Sequence, residues 1–145
     1  MTQKATDRVK AAKKLEMAVK KFNAKKNVMS VKKDQGLVLL KDVESKNLLK
    51  ELIHQLNRDL NLTGIDDLLS PDSGPLETVL HLHRIISKLI QNDFNTYLNL
   101  LYRIDIPEQQ VRSIENTDPR VISEKVTEMI LKRDWQKVWF RSKNL

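Results

Sequence analysis

Placed at about 100° per residue, the apolar positions of this 145-residue chain fall into helical stripes over most of its length. From Asp7 to Phe22, Val9, Ala12, Leu15, Val19 and Phe22 share one half of the wheel. Lys10, Lys13, Lys14, Lys20 and Lys21 occupy the other half, with Glu16 the acid among them. The pattern is a basic amphipathic helix, once something covers its apolar side. Residues 28–40 are ambiguous. Val28-Met29-Ser30-Val31 and Leu37-Val38-Leu39-Leu40 flank Lys32-Lys33-Asp34-Gln35-Gly36. This reads either as a β-hairpin with a five-residue loop or as a linker whose apolar run docks on the body. A lone hairpin is marginal in water, which favours the linker.

Further along the chain the periodicity is stronger. Asp42 or Ser45 can cap a helix running to about Leu60, with Leu48, Leu49, Leu52, Ile53, Leu56 and Leu60 on one stripe. Its back face carries Lys50, Glu51, His54, Asn57 and Arg58. Residues 61–74 hold Thr63-Gly64, Asp66-Asp67 and Ser70-Pro71-Asp72-Ser73-Gly74 and read as a loop. Pro75 opens the next helix at its first turn, and Glu77 suits that helix's positive end. The apolar arc that follows is half the wheel wide and reaches about Arg103, which predicts the longest and most central helix. A short helix is expected after Ile106-Pro107. A last one starts at the Asp118-Pro119 cap and runs to about Phe140.

Five helical segments with short connections predict an all-α fold: a small helical bundle with a long central helix and a basic N-terminal amphipathic helical arm. Composition agrees, since three Gly, four Pro and 5% aromatic residues are poor material for a barrel or sandwich. Charge divides the chain further. Residues 1–34 hold 11 Lys/Arg against Asp7, Glu16 and Asp34, a net of +8. Residues 35–145 hold the other 15 against 16 acids, a net of −1. The chain is therefore read as a basic arm, 1–34, attached to a near-neutral helical body, 35–145. No apolar run reaches the ~18 residues of a membrane span. No apolar signal core is found near the N-terminus, so a cytoplasmic location is expected. Cys is absent, which excludes disulfides, thiolate metal sites and cysteine catalysis.

Enzyme chemistry finds little footing. His81 and His83 point about 200° apart on a helix and cannot share one ion, with His83 expected in the apolar arc and His81 solvated. Asp66, Asp67 and Asp72 lie in the longest loop of the body, where two carboxylates can hold a cation or move a proton. The segment lacks the alternating ligands, central Gly and terminal Glu of a calcium loop, so capping and solvation explain these acids better. Nucleophile-elbow and phosphate-loop motifs are missing. A non-enzymatic protein without cofactor or metal is the expectation.

Two surfaces look outward for partners. The first is the arm, where Lys10, Lys13, Lys14, Lys20, Lys21, Lys25 and Lys26 can neutralise phosphates by counterion release without reading bases. RNA, DNA or a ribonucleoprotein is the leading partner. An anionic membrane surface or an acidic protein groove would suit the same pattern. The second is the last helix. Ile122, Val126, Met129 and Ile130 make a core stripe that Arg133 and Lys137 interrupt. Leu131, Trp135, Val138 and Trp139 cluster on nearly the opposite side and hold both tryptophans of the chain. That cluster either packs inside the monomer or forms an aromatic face for a protein partner or a second copy, which makes an adaptor or oligomer subunit the alternative reading. Lys137-Val138-Trp139-Phe140-Arg141-Ser142-Lys143 is similar to the homeodomain recognition helix over about six residues. Ser142 stands where the base-reading Asn would be and the upstream helices are too long for that unit, so no homeodomain function is read from it.

Overall fold

The structure, a computed structural model, describes residues 34–114 and 118–143. These form six helices and, among the described residues, no strand: α1 (Gln35–Ser45), α2 (Leu49–Leu62), α3 (Pro75–Asn92), α4 (Phe94–Ile104), α5 (Glu108–Arg112) and α6 (Pro119–Lys143). The all-α bundle holds. The helix expected from Asp7 to Phe22 lies outside the described residues.

Of residues 28–40, those from Gln35 onward are helical, neither hairpin strand nor irregular linker, although their apolar run does dock on the body. Residues 28–33 lie outside the described residues. Asp34 caps α1 by accepting a hydrogen bond from Leu37 N at 2.9 Å. Leu37, Leu40 and Val43, spaced by three, then point into the core. Gly36, which suggested a hairpin loop, instead lets α1 approach its neighbours. A Cβ there would stand 3.1 Å from Val79 Cγ2 and 3.2 Å from Leu131 Cδ1. The helix ends in a Schellman turn: Asn47, at φ 59°, donates to Glu44 O, and Leu48 N donates to Val43 O. Asp42 and Ser45 therefore belong to α1 and cap nothing downstream. Asparagine is one of the few residues that enters the left-handed region readily, so the α1–α2 corner falls there.

The predicted helix from Pro75 to Arg103 is two helices. Asp93 leaves helical geometry at φ −152° and caps α4, accepting from Thr96 N at 3.3 Å and Thr96 Oγ1 at 2.7 Å. The central element is instead α6, at 25 residues the longest of the described helices, which packs against α1, α2, α3 and α4. Its apolar residues surround the axis because neighbours do. Val126 and Ile130 serve one side of the core, Leu131 and Val138 the other, and all four are buried. Asp118 starts this helix as the sequence predicts, its Oδ1 accepting from Arg120 N at 3.0 Å.

The loop between α2 and α3 is pinned from α2. The Asn57 side chain donates to Leu69 O at 2.8 Å and accepts from Leu69 N at 2.7 Å, and Leu69 and Ile65 are buried. No helix among the described residues is long and apolar enough to cross a membrane.

Candidate functional site

Where α2 runs beside the C-terminal turn of α6, a groove of about 330 Å³ is lined by Lys50, Glu51, His54, Gln55, Arg58 and Arg141. The α2 part follows from helix geometry. Lys50, His54 and Arg58 sit four residues apart on the solvent side of a helix whose opposite side carries Leu52, Ile53, Leu56 and Leu60. Lys50 Nζ lies 3.8 Å from Asp72 in the α2–α3 loop, with both side chains well exposed. Glu51 is the carboxylate of the lining.

Arg141 is held in place from below. Its Nη1 donates to Gln55 Oε1 at 2.8 Å, and Gln55, itself buried, donates through Nε2 to Asp59 Oδ2 at 3.2 Å. Asp59 is buried too, with Arg103 Nε at 3.9 Å from Oδ1 and Lys137 Nζ at 3.9 Å from Oδ2. Beside it is Asp134, 0% exposed. Lys137 Nζ stands 3.2 Å from Asp134 Oδ1, an ion-pair distance, yet neither carboxylate oxygen of Asp134 accepts a hydrogen bond. Burial, reinforced by hydrogen bonding and charge repulsion from Asp59, pushes the Asp134 pKa up to about 8, against the opposing pull of Lys137. At neutral pH Asp134 is thus protonated. Both carboxyls are closed off from solvent, so a substrate has no route to them. Their effect on the surface is mechanical: Asp59 aims Gln55, and Gln55 aims Arg141.

The sequence put its chemistry elsewhere. Lys10, Lys13, Lys14, Lys20, Lys21, Lys25 and Lys26 lie outside the described residues. Of the proposed partner face, Leu131 and Val138 are buried and Trp135 is half-buried against the core, so these three are not a docking surface. The reason is that α6 has helices on both sides. Trp139 remains 37% exposed, its ring 5.5 Å from that of Trp135 and under Lys143 Nζ at 4.6 Å, and Phe140 beside it is 70% exposed. Arg133 and Lys137, which break the core stripe, reach acids: Arg133 Nη2 donates to Asp105 at 3.1 Å, and Lys137 joins the buried pair.

The loop acids are separately engaged. Asp67 Oδ1 lies 2.7 Å from His81 Nε2, and Asp72 faces Lys50. His81 is therefore half-buried and partnered rather than solvated, because the pinned loop folds over it. His83 is half-buried as well, with Nε2 3.5 Å from Arg120 O. No group of three or more His, Cys, Asp or Glu among the described residues is arranged to hold a metal ion.

Sequence reasoning missed the Asp59–Asp134 pair and the groove above it. The signal was present. Asp59 falls on the stripe of Leu52, Leu56 and Leu60, and Asp134 on that of Ile130, Leu131 and Val138, so each carboxylate interrupts an apolar face. No family model, no curated protein and no solved structure matches this chain.

Proposed function

We propose that this protein is a non-enzymatic helical scaffold that binds a polyanion, namely RNA, DNA or a ribonucleoprotein, through its lysine-rich N-terminal segment. The observation that carries this reading is the charge division: 11 Lys/Arg against three acids in residues 1–34, and a net of −1 in residues 35–145. That excess ends where α1 begins, at its cap Asp34. Lysines at this density neutralise phosphates without touching base edges, so binding is expected to be broad in sequence and steep in salt. Replacing Lys10, Lys13, Lys14, Lys20 and Lys21 together by Gln tests it. The slope of log K against log salt on duplex DNA should flatten by about 0.9 for each phosphate that is no longer neutralised. Binding by the variant equal to that of the native chain, or no binding to any nucleic acid at low salt, defeats the reading.

A second reading is favoured by one observation, the exposed Trp139–Phe140 pair at the end of α6. An aromatic pair of this kind suits a protein partner or a second copy of the chain, with the protein acting as an adaptor or oligomer subunit. Light scattering on the full chain, native and Trp139→Ala, separates the two: a dimer that the substitution dissolves supports the adaptor.

A further inference from the structure

We propose that the groove between α2 and the C-terminal turn of α6 is a phosphodiester-binding site, which holds the backbone of the nucleic acid that the lysine-rich segment attracts. The inference rests on the function proposed above and adds a second binding surface to it, on the folded body.

Four features of the groove support it. Its cationic and titratable groups are in register: Lys50, His54 and Arg58 recur every fourth residue of α2, about 6 Å apart along the axis. That interval is similar to the separation of successive phosphates on one strand. Next, two members of the row are unspent, while Lys50 has only the exposed Asp72 at 3.8 Å. Neither His54 nor Arg58 has a hydrogen-bond or ion-pair partner among the described residues, whereas Arg103, Arg112, Arg120 and Arg133 each face a carboxylate. Third, Arg141 is preorganised. Gln55 takes one of its N–H groups and Asp59 fixes Gln55, so the guanidinium reaches the groove with part of its ordering cost already met and its other donors open. The buried acid does this without entering the groove, where its charge would repel a phosphate. Last, the space of about 330 Å³ is open along one side and has room for a phosphate and its flanking sugars.

Glu51, in the lining, works against an anion and supplies an internal control. Removing it should strengthen binding if phosphate sits there, whereas a merely structural role for the row predicts no gain. The arrangement offers charge and forked donors, with the His54 imidazole as the one ring of the lining and no Phe, Tyr or Trp, so it favours the backbone over the bases.

The full chain, labelled for NMR of its histidine rings, is titrated with inorganic pyrophosphate. The His54 signals should move saturably while those of His81 and His83 stay, and Arg58→Gln with Arg141→Gln should abolish the movement. On duplex DNA, the same pair of substitutions should lower the salt slope by about 1 to 2, and Glu51→Gln should tighten binding several-fold. Arg58→Gln alone, which breaks no interaction of the fold, should give part of the effect and guards against misfolding. A His54 signal indifferent to pyrophosphate, or a DNA salt slope unchanged by the double substitution, overturns the site while leaving the lysine-rich segment's role standing. Loss of DNA binding confined to the lysine variants does the same. Should the native chain bind no nucleic acid, the function proposed above fails, and this assignment fails with it. Binding restricted to phosphatidylserine vesicles would move the groove to a membrane surface and equally overturn it.

Discussion

Lys137 Nζ and Asp134 Oδ1, one turn apart on α6, stand 3.2 Å apart, with the acid wholly buried and, at neutral pH, protonated. The pair is a poor one electrostatically, because Asp59 lies alongside and competes for the same ammonium at 3.9 Å. Asp134 stays neutral there because ionising it beside Asp59, out of water, would cost more than the pull of one nearby lysine returns.

The sign of the resulting pH dependence follows. An unfolded Asp134 releases its proton near the ordinary carboxylate value of 3.8, whereas the folded one holds it until about 8. Between those limits the native state binds more protons than the unfolded state, so stability declines as pH rises through the window and levels off above it. Asp134→Asn, neutral throughout, removes this decline. Urea unfolding at several pH values between about 4 and 8 should show the variant gaining on the native protein by up to about 1.4 kcal/mol per pH unit at the steepest. The total should reach a few kcal/mol at the alkaline end. A difference between the two that does not vary with pH would contradict this account.

The boundary of the body makes a second prediction. The described helices enclose a core of 23 buried apolar residues, from Leu37 to Val138. A chain starting at Lys33 should therefore retain a cooperative thermal transition. Within it, Asp34→Ala removes the acceptor for Leu37 N and should cost about 1 kcal/mol, read as a lowered Tm. If the shortened chain melts without a transition, the basic segment is part of the core, and the proposed division between arm and body fails with it.

Fluorescence gives the third. Trp139 is partly exposed while Trp135 is packed against the core. Acrylamide should quench the native protein with two components, and Trp139→Phe should abolish the more accessible one. Equal quenching of native protein and variant would mean that Trp139 is covered, as it would be inside an oligomer.

The class of fold was legible because α3 and α6 carry strong start signals, Pro75 with Glu77 and Asp118 with Pro119, and α2 carries a long stripe of leucines. Two errors came from reading punctuation without its surroundings. Gly36 looks like a turn residue in isolation, yet its bare Cα is there to clear Val79 and Leu131, which lie 43 and 95 residues further on. Asn92-Asp93 contains neither Gly nor Pro, and the break rests on a side-chain cap to Thr96 that periodicity does not register. The last helix misled in a different way. A second apolar face suggests a partner when the neighbours are unknown, but α6 is enclosed, and Leu131 and Val138 meet the monomer's own core. The groove was invisible for the same reason, since Arg141 and Gln55 are joined across 86 positions of sequence.

The clamp from Asn57 to the loop carries a consequence for how this chain can diverge. Both of its hydrogen bonds end on main-chain atoms of Leu69, so Asn57 grips the path of the loop without regard to most of its side chains. Residues such as Asp66, Leu68 and Ser70 are exposed around that fixed point and are free to drift. A changed loop length is another matter, because it would carry a different peptide unit past the amide. Even Asn57→Asp, near-identical in shape, would lose the donor to Leu69 O and set a carboxylate against that carbonyl. Variation in this region should therefore come as substitution at constant spacing, with Asn57 and the twelve-residue step to Leu69 changing last.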